Sequence, residues 1–147
     1  RARKRASRRE ACERNIRVMA YVPARCDTLL IPTGPAGDHL FVITTEACPG
    51  GLHVLANFTK IAPGRFVDKA CLLSPGEHPF ITQDSFVLYR SAMVQPGARL
   101  SNMVDGWVYR VGQPATVALT DKILAGFGAS KFTPKFIKTH LHGLGLI

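Results

Sequence analysis

The residues with the clearest potential for chemistry are two polar side chains at the ends of apolar, β-branched segments. His39 precedes LFVITTEA, residues 40–47, and Thr59 lies near the end of HVLANFTK, residues 53–60. Their composition predicts two strands, and the CPGG sequence between them predicts a turn, so the pair is expected to form a hairpin. Residues 39 and 59 then meet at its open end. An imidazole there can transfer a proton near neutral pH, and a hydroxyl can bind a phosphate oxygen.

Both residues also have simple structural explanations. A histidine before a strand can act as a cap, and a threonine within a strand reflects β-propensity. On these residues alone the structural explanation is favoured over the catalytic one.

A second cluster of polar residues lies in GEHPFITQDS, residues 76–85, just before the apolar run FVLY. Most of these residues are explained by the way in which the chain turns into the next strand. Pro75–Gly76 predicts a turn, and Pro79 holds His78 in an extended conformation. The side chains of Glu77 and His78 are the two that the turn does not explain.

The common signatures of nucleotide, hydrolase and metalloprotease sites are absent from the sequence. The four cysteines are 14, 22 and 23 residues apart, without a C-x-x-C pair, so no metal site or cofactor is expected. We expect reduced thiols that serve as small apolar filler. The longest apolar runs are too short to cross a bilayer and no secretory signal is evident, which favours a cytoplasmic protein without a membrane partner.

The net charge of +9 is concentrated at the beginning of the chain. Residues 1–17 carry eight basic and two acidic residues, whereas the other 130 residues carry 11 basic and eight acidic. Such an arm can bind nucleic-acid phosphates, or it can be a solvated helix face. The residues assigned to a nucleic-acid arm are Arg1, Arg3, Lys4, Arg5, Arg8 and Arg9.

The order of predicted elements indicates a mainly β protein with helices, of the α+β class. Residues 1–22 form a basic helical arm that Pro23 ends, and residues 23–147 form one domain. Short strands include 71–73, 86–94 and 106–111, with a turn at 99–103. Two helices follow: one after Thr116, stopping near Gly126 and Gly128, and one opened by Pro134. Without βαβ alternation, a small curled antiparallel barrel is favoured.

Four segments together resemble the PemK/MazF-like toxins of bacteria and phages over roughly residues 27–140. These segments are DHLFVITTEA, HVLANFTKI, CLLSPGEHPFITQDSFVLYRSAMV and TDKILAGFGASKFTPKFIK. The resemblance implies an SH3-like barrel with helices, a homodimer, an acidic antitoxin as partner, and metal-independent cleavage of single-stranded RNA. In that reaction the 2′-hydroxyl attacks the adjacent phosphate. The family supports it with an arginine at the start of one strand and a serine or threonine at the end of the next.

Thr59 matches the second family position, but Asp38–His39 stands where the family has Arg–Pro. An arginine would clamp the phosphate at every pH, so its replacement leaves two hypotheses. In the first, the chain is a ribonuclease in which His39 is the general acid or base and Thr59 binds phosphate, with Glu77, His78, Arg65 and Lys60 at the substrate. In the second, it is an inactive module that binds nucleic acid or a protein assembly. A purely structural subunit is a third possibility.

Overall fold

A computed structural model describes residues 20–147, in which seven strands and three α-helices form one antiparallel α+β unit. The predicted helix over the basic arm, with Arg1, Arg3, Lys4, Arg5, Arg8 and Arg9, lies outside the described residues. The strands are β1 (Thr28–Pro32), β2 (Asp38–Ile43), β3 (Leu52–Lys60), β4 (Leu72–Leu73), β5 (Ser85–Val87), β6 (Met93–Pro96) and β7 (Arg110–Val111). The helices are α1 (Gly97–Asp105), α2 (Val117–Ala129) and α3 (Lys135–Gly143), with single 3₁₀ turns at Gly34–Ala36 and Tyr89–Ser91.

The long strand β3 organises the sheet. It pairs with β2 along one edge, whereas along the other edge β6 pairs with its first half and β5 with its second half. The strand order is β4-β5-β3-β2-β1-β7, with β6 beside β3. The predicted β2–β3 hairpin and its CPGG turn are confirmed, and Gly50 and Gly51 adopt the positive φ angles, 83° and 73°, that the turn requires.

Both faces of the sheet are buried, because successive side chains of β2 and β3 point in opposite directions. One face carries Leu40 and Val42 and forms a first core with α2 and α3. The other face carries Phe41 and Ile43 and forms a second core with Leu100 of α1. This double burial explains why the strand segments are nearly continuous apolar runs.

The sheet is not closed into a barrel among residues 20–147, since its path ends at β4 on one side and β7 on the other. The α+β class and the antiparallel pairing are confirmed. No helix within the described residues is long and apolar enough to span a bilayer.

Three predictions of secondary structure are corrected. The expected turn at 99–103 belongs to α1, whose Leu100, Met103 and Val104 fall at helical spacing and pack into the second core. The expected strand over 86–94 divides into β5 and β6, because the 3₁₀ turn Tyr89–Ser91 sends Tyr89 into the first core.

The third correction concerns the end of α2. The helix begins after Thr116 as predicted, and Thr116 is its N-cap, accepting a hydrogen bond from the Leu119 N–H at 3.1 Å. The predicted end near Gly128 is within one residue of the observed end at Ala129, but Gly126 does not stop the helix. Gly126 is instead the place where the Tyr89 side chain meets the helix.

Candidate active site

His39 lies in β2, opposite Ile31 of β1, and its ring is oriented by the loop that joins these strands. The Thr33 hydroxyl contacts His39 Nδ1 and also donates a hydrogen bond of 2.7 Å to the Gly37 carbonyl. A hydroxyl has one proton, and this one is given to Gly37. Nδ1 is therefore the donor toward Thr33, and Nε2 carries the lone pair that can accept a proton.

The loop itself explains this orientation. The Thr33 N–H donates to the Gly37 carbonyl at 3.0 Å, which closes a short turn. Gly34 and Gly37 have φ angles of 76° and 83°, a region that favours glycine. The sequence TGPAGDH thus folds into a turn that holds a half-buried imidazole at the end of the sheet.

Thr59 lies in β3 beyond the part of this strand that pairs with β2. The β2–β3 ladder joins Ile43 to Leu55 and ends with Phe41 and Asn57, and beyond Asn57 β3 pairs with β5, where Thr59 is opposite Phe86. Because side chains alternate along a strand, Thr59 is on the same side of β3 as Asn57, and His39 is on the same side of β2 as Phe41. That His39 and Thr59 share a site at the open end of the hairpin stays a prediction.

Asn57 is a polar residue of this face that was not predicted as functional. It is 3% exposed, and its Oδ1 has no hydrogen-bond partner among residues 20–147. An unsatisfied buried acceptor is costly, so its presence in the sheet is unusual. The signal available in the sequence was a single asparagine inside the run HVLANF.

Lys60 and Arg65 lie close to Thr59 in the chain, and both are exposed. Lys60 is opposite Ser85 of β5 and points away from the Thr59 face. Arg65 follows a turn closed by its own N–H to the Ala62 carbonyl at 3.2 Å. Neither forms an ion pair with a described residue.

His78 is buried, and both of its ring nitrogens are occupied. The Phe80 N–H donates to Nδ1 at 3.0 Å, so Nε2 carries the proton and donates to the Gln113 carbonyl at 2.7 Å. Thr28, at the far end of β1 from Ile31, donates to the same carbonyl at 2.7 Å. Because Thr28 is three residues from Ile31, which is the β1 residue opposite His39, His78 is about 10 Å from His39 along the direction of β1.

Glu77 contacts Ser74 and Lys122, and it does not contact His39. One carboxylate oxygen accepts from the Ser74 N–H at 2.6 Å, and the other pairs with Lys122 of α2 at 2.9 Å. Lys122 in turn donates to the Leu72 carbonyl at 2.7 Å. Partial burial acts to raise the pKa of Glu77, but the Ser74 and Lys122 hydrogen bonds and the Lys122 charge outweigh it and lower that pKa.

We expect Glu77→Gln to lower the free energy of unfolding by about 1 kcal/mol at pH 7. A carboxylate with a lowered pKa stabilises the fold above the ordinary glutamate pKa, and this contribution is lost as the pH falls through the lower pKa of the folded state. Urea unfolding at pH 7 and at pH 3 should therefore show a difference that shrinks in acid. Glu46→Gln is the matched control, because Glu46 is exposed; equal effects of both variants would contradict the role of Glu77.

Asp38, the neighbour of His39, forms an ion pair of 3.3 Å with Arg110 of β7. Both side chains are largely exposed, so this pair contributes little to stability. Arg110 reaches the Asp38 end of β2 from β7, across β1.

A groove of about 430 Å³ lies elsewhere, beside the loop that follows β2. It is lined mainly by apolar surface and includes Thr44, Cys48 and Leu124, but none of the predicted site residues. Cys26, Cys48 and Cys71 are free thiols. Within residues 20–147, no group of three or more His, Cys, Asp or Glu side chains is arranged to hold a metal ion.

The sequence matches no protein-family model, and comparison with curated proteins likewise gives no match. The geometry at the open end of the β2–β3 hairpin is therefore the basis on which a function can be proposed.

Proposed function

We propose that this chain is a divergent PemK/MazF-like endoribonuclease, in which His39 is the general base and Thr59 binds phosphate. The observation that supports it best is the state of His39. Its Nδ1–H is held by Thr33, which leaves Nε2 ready to accept a proton. A base oriented by a second side chain is the arrangement that general base catalysis needs.

The proposed reaction forms a bond between the 2′-oxygen of a ribose and the adjacent phosphorus while the bond from phosphorus to the 5′-oxygen breaks. His39 Nε2 takes the proton of the 2′-hydroxyl, and water supplies a proton to the departing 5′-oxygen. The Thr59 hydroxyl donates a hydrogen bond to a non-bridging phosphate oxygen. The products are a 2′,3′-cyclic phosphate and a 5′-hydroxyl.

The wider proposal follows the PemK/MazF resemblance. The open sheet would be a variant of the SH3-like barrel, and the protein would act in the cytoplasm as a homodimer held inactive by an acidic antitoxin. The basic residues Arg1 to Arg9 would add affinity for RNA or for that antitoxin.

The test is cleavage of a mixed single-stranded RNA in EDTA by the full chain. We expect fragments that end in a 2′,3′-cyclic phosphate, detected by mass spectrometry, and no cleavage of DNA of the same sequence because DNA lacks the 2′-hydroxyl. RNA that is bound in a salt-sensitive manner but never cut would overturn the ribonuclease proposal. That result would instead favour the second hypothesis, an inactive binding module.

A further inference from the structure

Positive charge in the described part of the chain is concentrated on a few segments that contact one another. Residues 61–70, Arg90 and residues 130–138 contain six basic residues and one acidic residue, Asp68. The rest of residues 18–147 contains five basic and seven acidic residues. The segments make contact because Ser130 donates a hydrogen bond of 2.5 Å to Asp68 and the Phe66 ring packs against Phe132.

None of the basic residues of these segments forms an ion pair within residues 20–147. The three ion pairs found among residues 20–147 use Arg25, Arg110 and Lys122, none of which belongs to this group. Asp68 is 3% exposed and is bonded to Ser130 and to the Ala70 N–H, so it does not offset the charge at the surface. Uncompensated positive charge on one surface attracts an anionic polymer.

Aromatic side chains are stacked among these charges. The Arg90 guanidinium lies over the Phe66 ring at 4.2 Å from its centroid. The Phe132 ring meets Phe66 edge-on, with centroids 4.8 Å apart and an interplanar angle of 88°. Phe132 is 46% exposed, and Phe136 on α3 is 64% exposed. We call Phe66, Arg90 and Phe132 the Phe66 platform.

The Phe66 platform continues to the candidate active site. Phe86 of β5 is directly opposite Thr59 of β3, so the two side chains lie on the same face of the sheet. The Phe86 ring is 6.2 Å from the Phe66 ring, centroid to centroid. The Phe66 platform and Thr59 are thus both neighbours of Phe86, which is buried.

We propose that the Phe66 platform binds single-stranded RNA, with bases stacked on Phe132 and phosphates held by Arg90 and by the surrounding lysines and arginines. This inference rests on the proposed function for its choice of RNA. Single strands are favoured over duplexes because only unpaired bases expose their faces for stacking, and aromatic side chains within a basic surface are the usual means of binding them.

The test compares two phenylalanines of equal exposure. Phe132 and Phe80 are both 46% exposed, but Phe80 packs on Phe58, which points to the opposite face of the sheet from Phe86. In fluorescence polarisation with a labelled RNA oligonucleotide, Phe132→Ala should weaken binding about tenfold. Phe80→Ala should leave binding unchanged. Equal affinities of these two variants, or equal binding of single-stranded and duplex RNA by the unaltered chain, would overturn the proposal that the Phe66 platform binds single-stranded RNA.

Charge at the Phe66 platform is tested separately with Arg90→Gln, against Arg99→Gln of α1 as control. Only the first should lower the slope of log Kd against log salt, by about 0.7 for one phosphate contact. The basic arm is present in all variants, so its contribution cancels. RNA binding that depends on Phe132 without any cleavage would refute the ribonuclease proposal and support RNA binding at the Phe66 platform. Cleavage of RNA together with unaltered RNA binding by Phe132→Ala would support the ribonuclease proposal and refute RNA binding at the Phe66 platform.

Discussion

Replacement of His39 by alanine is expected to lower the rate of RNA cleavage in EDTA about 10²- to 10⁴-fold, the usual contribution of a general base. The reason is that Nε2 is the proton acceptor and its orientation is set by the Thr33 contact at Nδ1. Binding of RNA should remain, because His39 is not part of the Phe66 platform. Initial rates on a labelled oligonucleotide and the circular dichroism of each variant are the measurements.

His142→Ala is the control for this experiment. His142 is exposed on α3, distant in the chain from β2, so its removal should change neither cleavage nor binding. Cleavage by His39→Ala at the rate of the unaltered chain would remove His39 from the mechanism.

Thr33 is proposed as a positioning residue, and a pair of variants separates this role from a structural one. Thr33→Val keeps the shape of the side chain but removes the oxygen that accepts from Nδ1, so cleavage should fall with RNA affinity unchanged. Thr33→Ser keeps the hydroxyl and should restore cleavage. If serine and valine behave alike, the hydroxyl does not orient the imidazole.

The parts of the fold that could be predicted from the sequence are those fixed by local patterns. The β2–β3 hairpin follows from β-branched runs on either side of CPGG, which are close enough in the chain to pair with each other. The start of α2 follows from the hydroxyl of Thr116, which needs only its own backbone neighbours. These features require no knowledge of distant contacts.

The features that were missed depend on distant contacts. Helix α1 has Pro96 as its N-cap, which makes no side-chain hydrogen bond, so the start of this helix has no capping signal in the sequence. The helix is stabilised by its apolar face, which packs on the second core. The roles of Glu77 and His78 depend on Lys122 and Gln113, which are 45 and 35 residues away in the chain. A closed barrel would require β4 to pair with β7, and no local sequence pattern indicates whether two strands so far apart in the chain pair.

Gly126 illustrates the same limit, because glycine was interpreted as a helix stop and is instead a site of close approach. A Cβ at position 126 would lie 1.8 Å from the Tyr89 hydroxyl oxygen and 2.6 Å from the ring carbon that bears it. Tyr89 is fully buried and donates a hydrogen bond of 2.7 Å to the Ile123 carbonyl of α2. Burial, together with the neighbouring Cys71 thiol, raises the pKa of Tyr89, so the phenol remains a neutral donor.

Gly126→Ala is therefore expected to lower the free energy of unfolding by about 3 kcal/mol, at the upper end of the usual cost of overpacking. Gly143→Ala makes the same chemical change at the end of α3, where nothing lies within 4 Å, and should stabilise the protein by about 0.5 kcal/mol. Urea unfolding of both variants measures the two effects. Loss of stability in Gly143→Ala as large as in Gly126→Ala would show that contact with Tyr89 is not the cause.

A second substitution identifies the contact directly. In a Tyr89→Leu background the shorter side chain leaves room at position 126, so adding Gly126→Ala should lower the free energy of unfolding far less than it does in the unaltered chain.

The contact between Tyr89 and Gly126 also bears on RNA binding, because Tyr89 begins the 3₁₀ turn from which Arg90 reaches the Phe66 ring. Gly126→Ala should thus weaken RNA binding as Arg90→Gln does, although residue 126 is itself buried. Full RNA affinity in a destabilised Gly126→Ala protein would show that the turn holds Arg90 in place without Tyr89.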